Sequence, residues 1–182
     1  MTARPLIPLL AIALVALGVA ATTPQADDAT YIGANKCRMC HMPYFKAWSA
    51  TKHAHAMAAL AGESDAQKAM AAALKVEILE SADRTDACVT CHVTGFRLTG
   101  GYPQPDSLKN VALATVGCEA CHGPGSKHVS AGADDRRKMI NGHPTAETCK
   151  TCHTATTSPK FDFEKMKGLV HATVSAAETP SK

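Results

Sequence analysis

The sequence predicts a mainly α chain with long loops, little regular strand and a core that its own side chains do not fill. Three observations carry this reading. Apolar residues recur at helical spacing in several segments, and no stretch alternates apolar and polar residues as a half-buried strand does. Aromatic residues are scarce, with four Phe, three Tyr and one Trp among 182 residues. All eight cysteines fall in one five-residue pattern that occurs four times.

In chain order, Met1-Thr2-Ala3-Arg4 is a short basic start, and residues 5–21 are apolar and uncharged. Val19, Ala20 and Ala21 then offer a small-residue cleavage site before Thr22, so residues 1–21 read as a signal peptide. An uncleaved anchor is the rival, but the run is shorter than the about 20 apolar residues that span a bilayer. Residues 22–30 form a small, polar, flexible leader into a single unit over residues 31–174. Within it, Phe45, Ser49, His53, Met57 and Leu60 share one face of an expected helix over 42–60. A second helix is expected over 64–79, capped by Ser64 and striped by Met70, Leu74 and Ile78. Residues 95–107 carry Gly100-Gly101 and two prolines and read as a loop. Gly123-Pro124-Gly125 makes a tight turn, and residues 134–140 are charged surface. Pro144 opens a short helix, and Phe163, Met166, Val170 and His171 mark a last one over 161–174. Residues 175–182 read as a disordered tail.

The repeated pattern carries the chemistry. Cys37-Arg38-Met39-Cys40-His41, Cys88-Val89-Thr90-Cys91-His92, Cys118-Glu119-Ala120-Cys121-His122 and Cys149-Lys150-Thr151-Cys152-His153 leave no cysteine over. Cys-x-x-Cys-His is the attachment signature of c-type haem: two thiols bond the vinyl carbons and the next histidine ligates the iron. Zinc also uses paired cysteines, yet it does not require a histidine directly after each second one. A disulfide framework built from cysteines two residues apart is weaker still. The unit is therefore expected to be a compact tetrahaem cytochrome c with four covalently bound haem c groups and a haem-packed core. About 160 residues around four porphyrins leave little protein core, so the apoprotein should not fold.

Haem attachment by thiols is completed outside the cytoplasm, which agrees with the leader and points to a periplasmic or extracellular protein. The formal charge of +3 overstates the basic character, because each haem adds two propionates and Arg4 leaves with the leader. Scattered basic residues give no nucleic-acid footprint.

Each iron has one histidine from its motif, and His53, His55, His128, His143 and His171 remain for the opposite faces. His53 shares the face of Phe45 and Met57, and it should reach a haem other than the one bound beside His41. His55 points away from that face. His128 follows the Gly-Pro-Gly turn, His171 lies beside Val170, and His143 precedes Pro144 in a loop. Methionine competes poorly: Met39 and Met42 flank a motif histidine too closely, Met57, Met70 and Met166 are explained by packing, and Met139 stays open without a feature that singles it out. The count allows four bis-histidine haems or three plus an open one.

Trp48-Ser49-Ala50-Thr51-Lys52-His53, Cys88-Val89-Thr90-Cys91-His92 followed by Gly95-Phe96, Gly100-Gly101-Tyr102, and residues 117–125 around the third motif resemble the cytochrome c-554 family. The resemblance runs from about Tyr31 to His171. It implies a tetrahaem electron carrier that takes electrons from an oxidoreductase of the hydroxylamine-oxidising kind. It also implies three bis-histidine haems and a five-coordinate, high-spin second haem. His53 then matches the ligand of the third haem, His128 that of the first and His171 that of the fourth.

Electron shuttling between redox partner proteins is the expected function. Two alternatives stand beside it. One is reduction of nitric oxide or a similar small nitrogen oxide at an open second haem, where Asp83, Arg84, Asp86 and Arg97 are the nearest charged residues in sequence. The other is self-association into an extracellular haem filament, with His143 or His171 donated to a neighbouring subunit. Peripheral contact with a membrane is compatible with all three.

Overall fold

The computed structural model describes residues 28–171 and residue 174. The expected signal peptide, most of the leader and the expected tail lie outside the described residues. Among the described residues there is no strand, and no helix is long and apolar enough to cross a membrane. The helices are short: the longest has ten residues. Helices of this length are marginal by themselves, so packing and side-chain bonds to the backbone must hold them.

The first two helices, α1 (Ala34–Cys37) and α2 (Met42–Ser49), flank the first motif. The helix expected over 42–60 stops at Ser49, and two 3-10 turns, Lys52–His55 and Met57–Leu60, replace its second half. Hydroxyls end it: Ser49 Oγ donates to the Lys46 carbonyl at 2.8 Å and Thr51 Oγ1 to the Trp48 carbonyl at 2.7 Å. Such local bonds compete with helix continuation. Ser64 caps α3 (Asp65–Leu74) in a reciprocal capping box with Gln67. That helix ends at Lys75, whose left-handed backbone (φ 56°) releases residues 76–79 from the expected continuation. Ile78 therefore packs from a loop, against a cluster of Leu60, Ala82, Val89 and Val93.

The second motif starts on α4 (Asp86–Val89), and a loop of turns follows over 95–104. The next helix, α5 (Ser107–Leu113), has no counterpart among the expected elements, although Asp106 signals its start by accepting from the Leu108 and Lys109 amides. The third motif is itself a helix, α6 (Cys118–His122), followed by α7 (Ser126–Ser130) and α8 (Ala133–Arg136). The fourth starts on α9 (Ala146–Lys150). The last expected helix is reduced to α10 (Phe163–Met166), with a 3-10 turn at Leu169–His171 beyond Gly168. Glycine within a helix costs about 1 kcal/mol against alanine, enough to interrupt so short an element.

Protein core is small. Among the described residues ten hydrophobic side chains are buried, four of them alanines. The segment joining α5 to α6 organises this core. Thr94, 1% exposed, donates its hydroxyl to the Thr115 carbonyl at 2.6 Å and accepts from the Gly117 amide at 2.9 Å. The Leu113 carbonyl accepts from the Thr94 amide at 2.9 Å. Leu113 itself is fully buried. Its replacement by alanine is expected to cost about 2–5 kcal/mol, read as a lowered midpoint in thermal unfolding of the haem-loaded protein.

Candidate haem-binding site

All eight motif cysteines are free thiols. Each motif begins on a helical turn. Three of the motif histidines face a second histidine ring. His41 and His128 stack with ring centroids 6.2 Å apart and planes inclined by 27°. His122 faces His171 at 6.5 Å and 31°. His53 faces His153 at 5.9 Å and 70°. One metal bonded to a nitrogen of each ring, at about 2 Å per bond, sets ring centres about 6 Å apart. The residues present thus fit an iron between each pair.

The partners of His53 and His171 are exchanged relative to what the family resemblance implies. His53 lies against the fourth motif histidine and His171 against the third; His128 lies against the first. His92 of the second motif has no second histidine ring beside it among the described aromatic contacts. His143 is exposed, and its amide donates to Asn141 Oδ1 at 3.0 Å. His55 binds the Ser49 carbonyl through Nε2 at 3.1 Å, which occupies the nitrogen a metal would take. His55→Ala is expected to leave the visible and paramagnetic resonance spectra unchanged.

Hydrogen bonds orient the imidazoles. The Nδ1 atoms of His92, His122 and His128 meet the carbonyls of Ala56, Asn141 and Arg136 at 2.6, 2.6 and 2.9 Å. A carbonyl only accepts, so each Nδ1 donates, and Nε2 keeps the lone pair that a metal needs. His153 Nδ1 lies 2.8 Å from Ser158 Oγ, and Phe161 stacks on that ring at 4.5 Å. The Nδ1 of His171 is buried without a hydrogen-bond partner, while Tyr44 meets the ring edge-on at 5.1 Å. Burial pushes His41, His53, His153 and His171 below the ordinary histidine range, with neighbouring histidines adding to it at His41, His53 and His171. All four are favoured in the neutral, ligating form.

Backbone bonds fix His53 in place. Its carbonyl accepts from the Val116 amide at 3.2 Å and from Thr115 Oγ1 at 2.9 Å. The buried Trp48 completes the brace, its indole N–H donating to the Val116 carbonyl at 2.9 Å.

The thiols link the motifs to one another. Cys37 and Cys118 lie close enough to shift one another's ionisation, and so do Cys91 and Cys152. Burial first, then the charges of Cys149 and Cys152, push Cys121 up to about 11. The first site therefore adjoins the third, the third adjoins the fourth, and the fourth adjoins the second. Among the described residues no three His, Cys, Asp or Glu side chains are grouped so as to hold a metal ion.

One feature of the site went unread in the sequence. Glu119, between the two cysteines of the third motif, is 2% exposed. Its carboxylate accepts from the amides of Ile32, Gly33 and Gly125 at 2.7 to 3.1 Å. A Cβ on Gly125 would sit 3.1 Å from that carboxylate, so the glycine of the turn admits Glu119. The only hint in the sequence was an acid inside a motif flanked by glycines.

Comparison with known proteins sets this chain beside multihaem cytochromes. Residues 36–123 match the family described as cytochrome c554 and c-prime. The chain is 38% identical over 104 residues to cytochrome c-554 of Nitrosomonas europaea, covering 55% of this chain and 41% of that protein. It is 37% identical over 78 residues to the C-type polyheme cytochrome OmcB of Geobacter sulfurreducens, covering 40% of this chain and 9% of that one. The matches thus span less than half of either relative's length. In structure, the chain resembles the reduced state of cytochrome c554 from Nitrosomonas europaea with a TM-score of 0.59 and 27% identity. That match covers 77% of this chain and 82% of the other.

Proposed function

We propose that this chain, of the cytochrome c-554 type in sequence over residues 36–123 and in fold over most of its length, is an exported tetrahaem carrier of electrons between redox partner proteins. The observation that carries the reading is the set of three histidine pairs at 5.9 to 6.5 Å, each holding one motif histidine. Four haem c groups are bonded to the cysteine pairs Cys37 and Cys40, Cys88 and Cys91, Cys118 and Cys121, and Cys149 and Cys152. The bound haems supply one-electron chemistry at iron. His41 with His128 ligates the first iron, His122 with His171 the third, and His153 with His53 the fourth. His92 ligates the second alone, and His143 has no ligand role.

Thiol contacts between motifs support a relay in the order first, third, fourth, second, with an end of the chain of haems at the first and the second motif. Carbonyl acceptors hold His92, His122 and His128 in one tautomer, so little must reorganise when charge moves. The leader, residues 1–21, exports the chain to the periplasm or beyond.

The unpaired His92 favours a second reading, binding and reduction of a small nitrogen oxide at the second iron. A groove lined by Glu77, Asp83, Arg84, Asp86 and Arg97 reaches Val89 of this motif and does not include His92. The filament reading loses one of its two donors, because His171 faces His122 of its own chain, and keeps exposed His143 as the other.

Intact mass of the secreted protein tests the proposal. The expected mass is the chain from Thr22 plus four haems. Bound zinc or intramolecular disulfides would overturn it.

A further inference from the structure

We propose that Glu119 is a fixed buried negative charge that holds the first and third haems at low potential. The role rests on the four-haem reading above and deepens it. Glu119 lies where three segments meet: the chain entering α1, the third motif on α6, and the turn entering α7. Its Oε1 accepts from Ile32 at 3.0 Å and Gly125 at 2.7 Å, and its Oε2 from Ile32 at 3.1 Å and Gly33 at 2.7 Å. Each of those segments serves one of the two sites. The helix α1 carries Cys37, whose thiol meets the Gly33 carbonyl at 3.9 Å. The helix α7 carries His128, which faces His41. Cys118 directly precedes Glu119 in the chain.

Both carboxylate oxygens are engaged by N–H donors, and neither faces an acceptor that a carboxyl proton could bind. This is the bonding pattern of the ionised form. Backbone N–H groups stabilise the charge without cancelling it, and in a buried, weakly polarisable setting its field reaches further than in water. The field is felt at a neighbouring group. Tyr31 is raised above the ordinary phenol range by burial first and by Glu119 second. A buried carboxylate next in the chain to Cys118, and bonded to the segment that leads into Cys37, opposes the negative charge that reduction adds at the third and the first iron.

The test is a potentiometric titration of the haem-loaded protein, followed by visible absorption, in the wild type, Glu119→Gln and Glu119→Asp. The glutamine variant removes the charge and keeps the shape. With four haems attached, two of its four midpoint potentials should rise and two should stay. The aspartate variant keeps the charge on a shorter arm, and its two low potentials should stay low even where it unfolds more readily. Four unshifted potentials in Glu119→Gln, or a uniform rise of all four, would overturn the proposal. So would a rise of the pair in Glu119→Asp, since geometry and not charge would then be responsible. If the glutamine variant fails to accumulate, the aspartate variant decides alone. A wild-type mass lacking four haems overturns the four-haem reading and this role with it, so the two failures are distinguishable.

Discussion

A chain carrying both Cys118→Ala and Cys121→Ala is expected to lose the third haem and to accumulate at about one tenth of the wild-type level or less. Mass spectrometry and haem staining of the secreted fraction check this. The third site is central: Cys118 lies beside Cys37 of the first motif, and Cys121 lies near Cys149 and Cys152 of the fourth. Only ten buried hydrophobic side chains, mostly small, stand behind it among the described residues. Removing a porphyrin from such a core withdraws several kcal/mol of apolar burial, comparable with a whole-domain stability of about 5–15 kcal/mol. The helix α6 is five residues long and has no independent stability to fall back on. Normal secretion of a compact three-haem form would show that protein packing, and not haem, supports the fold.

The oxidised wild type is expected to show three low-spin haems and one high-spin haem in low-temperature electron paramagnetic resonance. His53→Met should keep all four haems attached, alter one low-spin signal and raise one potential. His143→Ala should change nothing. The signal altered by His53→Met should be the odd one of the three, because the His53 and His153 planes are inclined by 70° while the other pairs lie at 27° and 31°. Ligand-plane angle controls the anisotropy of a low-spin ferric signal, so two similar signals and one distinct signal should result. Exposed His143 sits before Pro144 in a loop, and binding iron from there would require ordering that loop. Four low-spin haems, with one turning high-spin in His143→Ala, would make the chain a purely bis-histidine carrier and remove the small-molecule reading.

Much of the short-range structure was legible. Ser64 caps α3 as its place before Asp65 and ahead of Gln67 suggests. The four motifs each open on a helical turn, and His55 turns away from His53 even though the helix that was expected to separate them is a 3-10 turn. What failed was length. The expected helices over 42–60, 64–79 and 161–174 are cut at Ser49, at Lys75 and near Gly168. Periodicity signals which face is apolar, and it says little about where hydroxyls or a left-handed residue divert the backbone. The helix α5 was missed because only its Asp106 cap, and no strong apolar stripe, marks it.

The sequence by itself determined the number and kind of attachment motifs, the helical class and the five histidines free to complete the sites. Those are properties of residues adjacent along the chain, where spacing sets geometry. Which histidine faces which was decided only by the tertiary structure. His53 meets His153 a hundred residues away, and His171 meets His122, because the segment after α5 clamps the His53 carbonyl and Trp48 while the last turn folds back beside Tyr44. The same holds for Glu119, whose three amide partners come from residues 32, 33 and 125. Contacts between segments far apart in sequence leave no period to read, since they depend on how loops close and not on how a single helix repeats.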